Sequence, residues 1–192
     1  MLDLRIQQHF IDSADLQYQA AEPMAKPVEA GVQALLACVT SGGKVLVAGW
    51  GGTAASAPYF ASLFVGGFER ERPELAALAL TVEGAAQADE QVLARQVRAL
   101  GHMGDVLMVM TSTGEEPVLQ QAVRAAHERD MTVMALTGKG GGALAKLLRE
   151  TDVHVCVPHE RAARIREVQH LVLHCLCDGV DAQLLGEQEL SE

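Results

Sequence analysis

The stretch Lys44-Val45-Leu46-Val47-Ala48-Gly49-Trp50-Gly51-Gly52-Thr53 decides the fold: an unbroken apolar run closes in a glycine-rich turn. A run without polar alternation suits a strand buried on both faces, the situation in a parallel sheet covered by helices. The pattern recurs downstream. Residues 75–80 lead into Thr81, residues 106–110 into Thr111-Ser112-Thr113-Gly114, and residues 132–136 into Thr137-Gly138-Lys139-Gly140-Gly141-Gly142, while residues 153–157 stop at Pro158. Strands separated by helical crossovers predict an α/β protein with a doubly wound, five-stranded parallel sheet flanked by helices.

Outside this block the periodicity is helical. Leu2, Ile6, Phe10 and Ile11 share one face of a helix predicted over residues 2–21. Pro23 and Pro27 punctuate it, so a second helix is expected over residues 28–39, ending at Ser41-Gly42-Gly43. The last helix, residues 160–185, is expected to be the longest and carries Ile165, Val168, Leu171, Val172 and Leu176. The organisation expected is N-terminal helices over 1–43, the sheet domain over 44–186 and a tail over 187–192, together one structural domain without repeats.

Composition narrows the class. A chain of 192 residues makes one domain, and with 49% apolar but 4% aromatic residues its core must be Ala, Leu, Val and Met. The 25 acidic against 15 basic residues give a net charge of -10, which argues against direct binding of nucleic acid or anionic lipid. No apolar run reaches signal-peptide or membrane-spanning length. Cys38, Cys156, Cys175 and Cys177 form no CxxC pair, so neither a disulfide framework nor a zinc knuckle is encoded, and a reduced, cytoplasmic protein is expected.

Ligands of open α/β folds bind beyond the carboxyl ends of the strands, which directs attention to the loops. Gly49, Gly51 and Ala54 satisfy GxGxxG/A, but the second strand ends in Leu80-Thr81 without the acidic residue that would hold a ribose. A ligand loop and a tight turn that simply needs glycine both fit. Thr111-Ser112-Thr113-Gly114-Glu115-Glu116-Pro117 offers hydroxyls at the start of a helix, yet Glu115 and Glu116 stand where an anion would sit. His170 and His174 share a helix face, as a chelating pair or as packed histidines. Arg161, Arg164 and Arg166, beside Glu160 and Glu167, make either a salt-bridged surface or a ligand clamp.

These segments resemble the sugar isomerase (SIS) domain family. The matching features are strand plus GxGGT at Val45 to Thr53, the TSTG loop at Thr111 to Gly114, ALTGKGGG at Ala135 to Gly142 and ARIREVQHLVLHCLCD at Ala163 to Asp178. Within the family the chain is similar to the group containing phosphoheptose isomerase and the DnaA initiator-associating protein. FERERP at Phe68 to Pro73, RQVRALGHMGDVL at Arg95 to Leu107 and CLCD at Cys175 to Asp178 look closer to the second. The resemblance implies a flavodoxin-like three-layer sandwich, long terminal helices, a homotetramer and sugar-phosphate pockets between subunits.

It also implies site residues, position by position. Gly51, Gly52, Thr53, Thr111, Ser112 and Thr113 fall on ligand loops, with Glu116 replacing the last loop Ser and Trp50 replacing an Asn. The family's helix-borne His and catalytic Glu fall on Tyr59 and Leu63. Its Asp, Gln and His of the last helix fall on Ala163, Arg166 and His174, so His174 alone survives as an acid/base. Isomerisation through an enediol needs a base and an acid, and Leu63 supplies neither. A metal held by Tyr59, Leu63, Arg166 and His174 is not expected, since Leu cannot ligate and Arg repels a cation. No cofactor is implied. The segment Val82-Glu83-Gly84-Ala85-Ala86 looks trimmed relative to the family.

The expectation from these departures is a non-catalytic, sugar-phosphate-binding oligomeric regulator that reaches the replication origin through a DnaA-type initiator, with Leu184 and Leu185 as the partner-binding pair. The alternative is phosphoheptose isomerase, converting sedoheptulose 7-phosphate with His174 as the remaining acid/base.

Overall fold

In the computed structural model, which describes residues 1–82 and 89–186, the strands β1 (Val45–Gly49), β2 (Ala77–Leu80), β3 (Val106–Met110), β4 (Thr132–Gly138) and β5 (Val153–Val157) form one parallel sheet in the order β2-β1-β3-β4-β5. Helices α1 (Leu2–Thr40), α2 (Ser56–Gly66), α3 (Val92–Leu100), α4 (Pro117–Glu128), α5 (Gly142–Ala145) and α6 (Ala162–Leu185) flank it. The tail over 187–192 and most of the segment read as trimmed lie outside the described residues.

Alternate strand residues feed two cores because successive Cβ atoms point to opposite faces. Val45, Val47, Met108 and Met134 pack under α1, α2 and α6. Leu46, Leu107, Val109 and Val133 pack under α3 and α4. The expectation of strands buried on both faces holds for β1 and β3 and fails at the edges. On β5, Val153, Val155 and Val157 are buried while His154 and Cys156 are half-open, and Leu78 on β2 is exposed. A central strand has helices over both faces, whereas an edge strand is covered fully on one.

The N-terminal prediction requires correction. Pro23 and Pro27 lie inside one helix of 39 residues, longer than the 24-residue α6. A proline removes a hydrogen bond and costs about 3 kcal/mol inside a helix. Against that stand Leu16, Ala20, Met24, Val32 and Leu35, all buried at helical spacing on the face toward α6 and β5. Burial of that many side chains at roughly 1.5–3 kcal/mol each outweighs two local breaks. The backbone comes close at Gly31, where an added Cβ would lie 2.9 Å from Leu176 Cδ2.

The amino end of the sheet is fixed by Asp105. Its carboxylate accepts from the backbone N–H groups of Lys44 (2.9 Å) and His102 (2.8 Å) and from Lys44 Nζ. This ties the residue before β1 to the residue before β3 and leaves the opposite, carboxyl end for loops.

Candidate functional site

Strand order reverses between β1 and β3, which makes the crevice beyond their carboxyl ends the expected ligand position of a doubly wound sheet. The loop after β1 and the loop after β3 lie side by side there. Trp50 N–H donates to Met110 O at 3.3 Å, and the Thr53 hydroxyl lies 2.7 Å from the same carbonyl. Thr53 is 2% exposed. Its hydroxyl couples the two loops. Gly51 and Gly52 are exposed. Arg166 lies directly over Gly52, where an added Cβ would come within 2.0 Å of Nη1. Any side chain at position 52 would displace that guanidinium.

In the loop after β3, Thr111 Oγ1 donates to Glu116 Oε2 and Thr113 Oγ1 to Glu116 Oε1, both at 2.7 Å. Thr111 is fully buried, and its oxygen also accepts from the backbone N–H groups of Thr113 and Gly114. The helix opens at Pro117, whose fixed φ suits a first turn, so Glu115 and Glu116 precede the helix. Glu115 points elsewhere: its Oε1 accepts from Ala143 N–H at 3.2 Å. Only Glu116 occupies the hydroxyl loop. Gly114, at φ 79°, abuts the loop after β4, and a Cβ there would fall 2.0 Å from Gly141 O. Gln169 of α6 fastens the assembly by donating from Nε2 to Thr111 O at 2.7 Å.

The third part of the site joins α2 to α6. Tyr59 Oη lies 2.7 Å from His174 Nε2, and the Tyr59 ring stacks on His170 with centroids 4.6 Å apart. Phe68 covers His174 at 5.1 Å. Burial, and then the neighbouring His174, push His170 below the ordinary imidazole range. Leu63 is half-buried and packs against the core, so the position of the family's carboxylate contributes only packing. Tyr59 was not among the residues expected to act, and His170 was expected only as half of a chelating or packed pair; 115 positions separate Tyr59 from His174, and no local pattern links them. Among the described residues no cluster of three or more His, Cys, Asp or Glu could hold a metal. A phenol, an alkyl group, a guanidinium and an imidazole at 59, 63, 166 and 174 likewise do not fit a divalent cation.

The arginines of α6 separate by role. Arg164 is buried, donating to His9 O at 2.7 Å and pairing with Glu167 at 2.8 Å. Arg166 and Glu167 border an open cavity of about 510 Å³ together with Ser13, Gln17, Ser56 and His170. Ser112 is half-buried at the loop tip. Leu184 and Leu185 are exposed at the end of α6, away from these groups in the chain.

Comparison with known proteins agrees with this architecture. The SIS domain model matches residues 8–138. The chain belongs to the SIS domain family. Over its whole length it is 57% identical to the phosphoheptose isomerase of Methylibium petroleiphilum, with 99% of that protein covered. It is 46% identical to that of Dechloromonas aromatica across 95% of this chain and 96% of the relative. The structure of phosphoheptose isomerase GmhA from Neisseria gonorrhoeae superposes with a TM-score of 0.88 at 40% identity, covering 95% of this chain and all of that one.

These findings overturn the expectation of a non-catalytic regulator bridging DnaA: the full-length relatives are phosphoheptose isomerases, and they favour the enzyme alternative. The FERERP segment, which looked closer to the initiator-associating protein, has structural work instead. Arg72 of the FERERP segment donates from Nε to Asp181 on α6, and Arg70 Nη1 donates to Gly186 O at 2.8 Å. Such ties hold the segment before β2 against the last helix and carry no information about a partner.

Proposed function

We propose that the protein is an aldose–ketose isomerase of a heptose phosphate, with His174 and Tyr59 as its proton-transferring pair. The observation that carries the reading is the 2.7 Å contact between Tyr59 Oη and His174 Nε2, with His170, stacked on the Tyr59 ring, on the wall of a ligand-sized cavity, in a chain 57% identical to a phosphoheptose isomerase. In the open-chain ketose the His174 imidazole removes a proton from C1 while the Tyr59 hydroxyl donates to the C2 carbonyl oxygen. The electrons of the broken C1–H bond form the C1–C2 double bond of an enediol. Return of a proton to C2 and loss of the O1 proton give the aldose, with no net change in atoms or electrons. The depressed basicity of His170 favours a neutral neighbour, which keeps a second positive charge away from His174.

A homotetramer is part of the same proposal. Leu2, Leu4 and Phe10 on α1 are 73%, 64% and 74% exposed, and an apolar groove of about 300 Å³ lies between α1 and α6. Apolar surface of that kind is what a helix-packed subunit boundary would cover. Incubation with sedoheptulose 7-phosphate, followed by proton NMR for aldose formation and deuterium uptake from D₂O, tests the activity. Turnover equal to buffer would remove the reading.

A further inference from the structure

A second cluster of reactive groups lies on the edge strand β5, apart from the Tyr59–His174 pair. His154 and Cys156, two residues apart, point to the face opposite the buried Val153, Val155 and Val157. Cys156 is the register partner of Thr137 on β4, and Thr137 Oγ1 lies 2.8 Å from His154 Nε2. Thr137 is fully buried, whereas His154 and Cys156 are half-buried and open to small reagents.

The turn after β4 roofs this cluster. A Cβ on Gly141 would fall 2.7 Å from His154 Cε1 and Nε2, so the backbone passes directly over the imidazole. At Gly140, which is exposed, a Cβ would meet no atom within 4 Å, and its N–H reaches the Cys156 sulfur. The sulfur therefore has donors on one side and open space beside it. The hydrogen bond from His154, with those from Thr137 and Gly140, holds the thiol below its ordinary range against the effect of burial. The other thiols differ: Cys38 is buried and pushed up by burial, Cys177 is pushed up to about 12, and the exposed Cys175 is raised by burial and by Asp178. Lys139, exposed in the same turn, favours a reagent that carries negative charge.

The turn is also bolted to the hydroxyl loop after β3. Leu144 N–H donates to Gly114 O at 2.9 Å, and Ala143 N–H to Glu115 Oε1 at 3.2 Å. Gly114 and Gly141 O are so close that a Cβ on Gly114 would not fit. Residues 139 to 142 all adopt positive φ, between 51° and 81°, although Lys139 is not a glycine. A backbone held in that region by its contacts shifts when one of them is displaced.

We propose that Cys156, with His154 and Thr137, is a thiol–disulfide exchange site for a small anionic disulfide of the glutathione type, and that the adduct is felt at the hydroxyl loop through the turn over His154. The Cys156 thiolate attacks one sulfur of the disulfide, a new S–S bond forms as the old one breaks, and the departing thiolate takes up the proton that Cys156 lost. Cys156 is oxidised to a mixed disulfide, and the reagent is reduced to one bound and one free half. Neither step depends on the isomerase reading.

Incubation of the full chain with glutathione disulfide at neutral pH, followed by intact mass and peptide mapping over time, tests the site. One glutathionyl group is expected on Cys156 ahead of Cys175, reversible by a thiol reductant. His154→Ala slows the Cys156 reaction about tenfold and leaves Cys175 unchanged, since the thiolate is the reacting form. Labelling of the buried Cys38 and Cys177 in the same maps reports unfolding, and His154→Gln then takes the place of the alanine variant. Hydrogen exchange of the peptide spanning 111–117 is expected to rise on modification of the wild type and to stay constant in Cys156→Ser treated alike. Modification of Cys175 first, or an unaltered Cys156 rate in the folded His154 variant, overturns the site. A modified Cys156 with unchanged exchange over 111–117 overturns the link to the hydroxyl loop.

Discussion

Tyr59 Oη and His174 Nε2 meet at 2.7 Å, joining the first turns of α2 to the middle of α6. General acid–base groups contribute about 10²–10⁴-fold to proton-transfer rates. His174→Ala is therefore expected to lower kcat on sedoheptulose 7-phosphate by a factor in that range with little change in KM. Tyr59→Phe, which keeps the ring stacked on His170, is expected to lower kcat less. Steady-state NMR assays of the two variants provide the check, and an unaltered kcat in His174→Ala would exclude it as the base.

Arg72 and Asp181 form an ion pair with side chains only 1% and 2% exposed, and Arg72 also lies over the Phe64 ring at 5.7 Å. Removing one partner leaves a buried charge uncompensated, at about 3–5 kcal/mol. Arg72→Ala and Asp181→Ala should each lower the urea midpoint substantially. The double variant, Arg72→Ala with Asp181→Ala, should lose less stability than the sum of the single losses. Additive losses in the cycle would show that the pair does not interact.

Burial raises the Asp105 carboxyl, but the hydrogen bonds from Lys44 and His102 outweigh it and hold the group below its ordinary range. A group with a depressed folded-state value contributes stability above its unfolded value, about 3.9, and loses it as pH falls through the folded value. The melting temperature of the wild type should thus drop more steeply than that of Asp105→Asn below about pH 4. At neutral pH the variant should be about 1–3 kcal/mol less stable, the cost of unmet buried donors. Parallel acid limbs in thermal melts would contradict the assignment.

The hydrogen bond from His154 favours the Cys156 thiolate and, with Thr137 and Gly140, outweighs the opposing effect of burial. At Cys175, burial and Asp178 push the thiol upward, although that side chain is more exposed. Iodoacetamide at neutral pH is expected to alkylate Cys156 faster than Cys175, since the thiolate is the reacting form. His154→Ala should remove the preference. Peptide mass spectrometry over a time course measures both rates.

The sequence by itself determined the sheet, because an uninterrupted run such as Val45 to Ala48 or Val106 to Met110 is tolerated only where both faces are buried, and that requirement is written locally. It also located the loops and the family, since glycine and hydroxyl residues after a strand are local signals. Departures such as Leu63 and Glu116 were visible as well, but their meaning was not. Taken as missing parts, they pointed to a protein without catalysis; in three dimensions Tyr59 reaches His174, and Glu116 grips two hydroxyls while Glu115 turns away. The continuity of α1 through Pro23 and Pro27 was likewise a tertiary decision, with local breaks of a few kcal/mol outweighed by burial against α6. For Tyr59 with His174 and for α1 against α6 the deciding partner lies far away in sequence, and the energy that fixes the outcome exists only once the chain has folded to bring the two together.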